Sequence, residues 1–161
     1  MHLNSLSFPS GGSCELTFNK LQRWLRATWT GVITTEDALR GGQNYLQQAG
    51  PLHCLYLLND NTALQGPWFD SLDWLKSVWL PQAQRMGLRY VAHVVQADTH
   101  TDILTLHHLV PMLQELELQI FAQVAEAEDW LRSCQLPKEG INQGPFHQLA
   151  LSKGQPNQQL L

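Results

Sequence analysis

Residues His53 to Asn61, HCLYLLNDN, constrain the fold more than any other stretch of this chain. Cys54, Leu55, Tyr56, Leu57 and Leu58 form an uninterrupted apolar run, and Asn59, Asp60 and Asn61 end it. Side chains on a strand alternate between faces, so both faces of this run are apolar. Such a strand belongs at the centre of a sheet covered on both sides by helices. Tyr90 to Val95, YVAHVV, repeats the pattern and is followed by Gln96, Asp98, Thr99 and His100. If the two runs are neighbours, their polar ends share one rim, where open α/β sheets usually meet ligands and partners.

The remaining segments fit around these strands. Ser13 to Asn19 alternates Cys14, Leu16 and Phe18 with polar residues, the period of a half-buried strand. Arg23 to Thr30 is a second strand, closed by Gly31, and the two predict an antiparallel hairpin at one edge. Thr34 followed by Asp37 predicts a capped helix start, and Gly50-Pro51 its end. Gly41-Gly42 inside that helix costs about 1 kcal/mol per residue against Ala, which close approach of helix to sheet would offset. Trp68, Leu72, Leu75, Trp79, Ala83 and Met86 recur at helical spacing, with Trp74 off their arc and Pro81 as a kink. Ile103 to Gln114 predicts another helix, Leu116 to Val124 a strand with one wetter face, and Ala125 to Cys134 a short amphipathic helix. Residues 1–12 read as a flexible arm and the Gln-, Pro- and Gly-containing stretch 135–161 as a flexible or loosely docked tail. The order is ββαβαβαβα over residues 13–134, an α/β domain with a mixed, mostly parallel sheet.

Bulk properties exclude several function classes. With 161 residues, 43% hydrophobic and 15% charged, the chain suits one globular domain. A formal net charge of -4 argues against nucleic acid and anionic membrane surfaces. No apolar run approaches the roughly 18 residues of a membrane-spanning helix. Cys14, Cys54 and Cys134 are widely spaced, and the N-terminus lacks the pattern of a secretion signal, so a cytoplasmic location is expected.

Three stretches together resemble the STAS superfamily, in particular its SpoIIAA-like, anti-sigma-factor-antagonist-like branch. They are Trp29-Thr30-Gly31 before a capped helix, Leu57-Leu58-Asn59-Asp60 on the central strand, and Ile120-Phe121-Ala122 followed by Glu126-Ala127-x-x-Trp130-Leu131. The resemblance covers roughly residues 13 to 134. It implies a small bacterial, non-enzymatic module that binds a protein partner. Some members are switched by phosphorylation of a serine at the start of the helix after the central strand. Here Asn61 to Trp68 replaces the expected Asp-Ser-Ser-Gly, so that switch does not carry over and no phosphorylation site is assigned.

The candidate partner- or ligand-binding residues are Asn59, Asp60, Asn61, Trp68, Trp74, Asp98, Thr99 and His100. For the Asn and Asp residues ordinary turn and cap chemistry is the competing explanation. Trp68 and Trp74 mark an interface or an apolar groove, or simply pack inside. His93 reads as a core histidine bonded to a neighbour. With His100, His107 and His108 it matches no ligand spacing, so no metal or cofactor is expected. The leading reading is a non-catalytic interaction module that binds a protein or a second copy of itself. A small apolar-ligand or lipid carrier, similar to SEC14 domains and using Trp68 and Phe69, is the alternative. A hydrolase or isomerase using Asp60 and a His is the third.

Overall fold

The structure, a computed structural model, describes residues 1–96 and 115–137. Six strands form one sheet in chain order: β1 (His2–Ser7), β2 (Ser13–Asn19), β3 (Trp24–Val32), β4 (Tyr56–Gln65), β5 (Tyr90–Val94) and β6 (Glu117–Phe121). The first three pair antiparallel and β3 to β6 pair parallel. The expected mixed, mostly parallel α/β sheet is therefore present, with one strand more than the sequence indicated. Residues 2–7 are not a flexible arm. They pair with β2 as an edge strand, tied at the far end by the Met1 amino group donating to the Phe18 carbonyl at 2.8 Å. The hairpin of β2 and β3 is consequently interior to the edge.

α1 (Thr35–Ala49) starts as expected. Thr34 caps it, accepting from the Asp37 N–H while the Asp37 carboxylate accepts from the Thr34 N–H and hydroxyl. Ser10 also donates to that carboxylate at 2.6 Å, so the cap ties the β1–β2 turn to the helix. Burial alone would raise the Asp37 pKa, but these bonds and the Arg40 charge hold it below the ordinary value.

The stretch after β4 is less regular than its apolar period predicts. It runs through a 3-10 turn (Trp68–Ser71), a short α turn, α2 (Leu72–Trp74), a π turn (Leu75–Trp79) and α3 (Leu80–Arg85). Pro81 falls at the start of α3, where its missing N–H is least costly, and the wider π turn stands just before it. The proline thus changes the winding without stopping the helix. α4 (Val124–Cys134) follows β6 and buries Ala127 and Leu131. The helix expected over Ile103 to Gln114, and residues 138–161 of the tail, lie outside the described residues.

α1 and the stretch 68–85 lie together on one sheet face, over a core that includes Leu16, Leu25, Ile33 and Leu57. α4 covers a smaller cluster on the opposite face: Trp24, Leu58, Ala92 and Val94. Leu57 and Leu58 enter different clusters, which fulfils the expectation that this strand is buried on both sides.

Close approach of α1 to the sheet depends on its two glycines. A Cβ on Gly41 would lie 2.1 Å from the Trp29 ring, and one on Gly42 would lie 2.9 Å from Trp74. Trp29 cannot readily retreat, because it stacks on Phe8 and its indole N–H donates to Asn59 Oδ1 at 3.0 Å. Gly41→Ala should therefore destabilise by about 1–3 kcal/mol through overpacking, against a helix-propensity gain of about 1. Urea unfolding checks this, with the exposed Gln43→Ala as a control expected to shift stability by less than about 0.5 kcal/mol.

Candidate functional site

The polar triplet lies inside β4 rather than beyond its end. The strand begins at Tyr56, after His53 adopts a left-handed conformation (φ 44°), and continues to Gln65. Asn and Asp are disfavoured in strands, so each needs a partner that outweighs its turn preference. Each has one, and the alternation of the strand sends the three to two different places.

Asn59 and Asn61 face the layer under α1. Trp29 can only donate, so its bond fixes Oδ1 as the accepting end of the Asn59 amide. The Nδ2 end then donates to Asn61 Oδ1 at 3.1 Å and to His93 Nδ1 at 2.9 Å. His93 stands directly beside Asn59 in the β4–β5 register. A ring nitrogen that accepts is unprotonated, so the neutral imidazole carries its hydrogen on Nε2. Among the described residues that Nε2 has no hydrogen-bond partner, although His93 is only 4% exposed. Burial pushes its pKa down to about 4, against a smaller upward pull from Asp60.

Asp60 faces the other way, toward α4. Its Oδ2 accepts from Arg26 at 2.6 Å, and its Oδ1 accepts from the Thr62 hydroxyl and N–H at 2.7 and 3.1 Å. Arg26 also stands 4.0 Å from Glu128 on α4. Burial would raise the Asp60 pKa, but the Arg26 and Thr62 bonds and the Arg26 charge hold it below the ordinary carboxylate value. Asp60 and His93 are thus separated by the sheet and each is already engaged.

The two tryptophans also separate. Trp68 is buried, with its ring 5.8 Å from that of His93. Trp74 is half-buried on α1 at Gly42, beside a surface groove shared with Leu46 and Val78. Asp98, Thr99 and His100, and the Phe69 side chain, lie outside the described residues. Arg26 and Trp29, absent from the sequence-based candidates, prove to be the partners that hold Asp60 and Asn59. Their strand periodicity was visible, but the β3–β4 register that brings them to these residues was not.

Under α1 the sheet and the helices border a partly open cavity of about 130 Å³. Tyr45, Leu57, Leu75, Trp79 and Val91 give apolar walls, while Asn59, Asn61 and His93 form one polar side. Among the described residues no three His, Cys, Asp or Glu side chains converge as metal ligands, and no helix is long and apolar enough to cross a membrane. Cys14 lines the cavity as well, with burial raising its thiol pKa to about 12, so it lacks thiolate character.

No family model matches this chain, and no curated protein matches it in sequence. In structure it is similar to an anti-sigma factor antagonist from Mycobacterium paratuberculosis, with a TM-score of 0.55 at 14% identity, covering 79% of this chain and 99% of that one. It is also similar to a DUF3478-family protein with a SpoIIAA-like fold from Shewanella loihica PV-4. There the TM-score is 0.51 at 21% identity, covering 78% of this chain and 98% of that one. At these identities the likeness is one of fold, and the fold is the SpoIIAA-like one that the sequence resemblance implied.

The buried imidazole predicts a pH dependence of stability. Its folded pKa, about 4, lies below its ordinary value of 6.5. The stability contribution is therefore complete above pH 6.5 and lost as pH falls toward 4, by up to about 3 kcal/mol. Thermal melts across this window should show the loss in the natural chain and a flatter profile in His93→Gln. Equal slopes for the two would show that His93 does not carry it.

Proposed function

We propose that this chain, built on the SpoIIAA-like fold, is a non-catalytic regulatory module that works by binding another protein. One observation carries the non-catalytic part. A hydrolase or isomerase built on Asp60 and His93 needs the two to meet a common substrate, yet they lie on opposite sides of the sheet. Asp60 is neutralised by Arg26, and His93 already accepts from Asn59. Such an arrangement suits a rigid platform better than proton transfer. The structural likeness to a protein described as an anti-sigma factor antagonist supports a protein partner.

The partner surface of this reading is the exposed far end of β4 and the segment beyond it. Asp60, Asn61 and Trp68 are buried, and Asn59 is half-buried with both ends of its amide bonded, so they shape this end from within instead of touching a partner. Ala63, Gln65, Gly66 and Pro67 are exposed there, and Trp74 is half-buried on the neighbouring helical stretch.

A photoreactive residue at position 63, introduced into the full chain in its own cells, tests the reading. The expected result is one dominant adduct, either a single other protein or a second copy of this chain. A probe at the exposed Leu21, in the β2–β3 turn at the opposite end of the sheet, should not give it. Gln65→Arg and Pro67→Arg together should remove the adduct with the melting temperature unchanged. An adduct that survives both changes sinks the surface. Substrate turnover by the purified chain that His93→Gln abolishes sinks the non-catalytic reading.

A further inference from the structure

The cavity under α1 is mostly apolar, and its amide and imidazole groups all come from the β4–β5 side. Its volume, about 130 Å³, approaches that of engineered apolar cavities of about 150 Å³ that take up benzene. Protein interiors are close-packed, and voids of this size are few. Gly41 and Gly42 both line it, so α1 presents backbone there. Leu75 and Trp79, the first and last residues of the π turn, line it from the other side. Single π turns inserted in helices occur frequently at functional sites.

The polar groups on its walls have been sorted by the hydrogen-bond chain that starts at Trp29. The Asn59 oxygen is taken by Trp29, and the Asn61 oxygen by Asn59. At the end of the chain stands His93, with its Nε2–H unmatched. Trp79 contributes a second buried N–H without a partner among the described residues. Both unmatched groups are donors. Among the described residues no ionised side chain lines the cavity: Asp60 faces the other side of the sheet, and the neutral imidazole is the tautomer its neighbours dictate. A charged occupant would lose its hydration without gaining a counter-charge.

We propose that this cavity is a binding site for a small neutral molecule: an apolar ring of roughly six to eight non-hydrogen atoms carrying one hydrogen-bond acceptor that receives the His93 Nε2–H. The apolar body replaces missing contacts along Tyr45, Leu57 and Val91, and the acceptor matches a donor that is otherwise desolvated and unsatisfied. The site lies beneath the partner surface at the end of β4, sharing Asn61, Leu64 and Trp68 as its inner wall, and its test is independent of any partner.

Cyclohexanone and methylenecyclohexane form a matched probe pair, equal in size and shape, of which only the ketone accepts a hydrogen bond. Titration into the full chain, followed by backbone amide shifts, should place both at residues lining the cavity, with the ketone bound about tenfold more tightly. The Nε2–H resonance of His93 should move with the ketone alone. In His93→Phe the preference should vanish while both probes still bind. If that variant does not fold, the Nε2–H resonance of the natural chain decides the matter. Equal affinities in the natural chain, or a preference that survives in His93→Phe, overturn the acceptor's role. Failure of both probes to bind, with only water held on Nε2, overturns the site.

Discussion

The bond from the Trp29 indole to Asn59 is the interaction on which the rest of the centre depends. Because an indole can only donate, it orients the Asn59 amide, and that amide orients Asn61 and His93 in turn. One fixed donor thus determines the tautomer of a fully enclosed histidine two strands away. It also anchors the ring over which α1 crosses at Gly41. An Asn in mid-strand of a buried layer is costly when unpaired, and here its three bonds make it the organising residue.

The other face solves the same problem differently. Asp60 is placed toward α4 by the alternation that places Asn59 toward α1, and it is met by a charge rather than by amides. Arg26 is a third exposed, so the pair sits at the border of the cover that α4 provides. Partial hydration and the two Thr62 bonds make a carboxylate tolerable there, whereas a fully enclosed ion pair recovers its desolvation cost only with much greater difficulty. The position of this border follows from topology. β3, β4, β5 and β6 advance in one direction across the sheet, so same-handed crossovers place α1 and the 68–85 stretch on one face. α4 comes after the last strand and is free to lie on the other, where it packs over β4 to β6 and its side chains reach Trp24 and Arg26 at the start of β3.

Periodicity made much of this legible in the sequence, and register was where it stopped. The double burial of Leu57 and Leu58, the cap at Thr34 and Asp37, the glycine pair as a close-approach surface and His93 as a bonded core histidine all follow from local chemistry. Sequence alone places the strand end too early because Asn-Asp-Asn reads locally as a turn. What keeps those residues extended is long-range: Trp29 and Arg26, thirty or so positions earlier, matched to them only through the β3–β4 register. β1 is hidden in the sequence for a related reason. Leu3 and Leu6 are only partly buried at a sheet edge, and HLNSLS has no clean alternation to mark a strand.

The glycines, tryptophans and cavity are parts of one packing solution. Gly41 and Gly42 let α1 approach until the Trp29, Trp74 and Trp79 rings meet its backbone. Flat, rigid rings span a gap without conforming to it, as branched aliphatic side chains do. The π turn that carries Trp79 widens the opposing helix at the same level. The space left between them is consequently bounded by elements whose positions are each fixed by something else: Trp29 by Asn59, α1 by its cap and glycines, and His93 by the sheet register. A void framed this way cannot collapse around a smaller side chain without breaking one of those bonds. The tight helix approach and the incomplete filling are therefore two consequences of the same choice of residues.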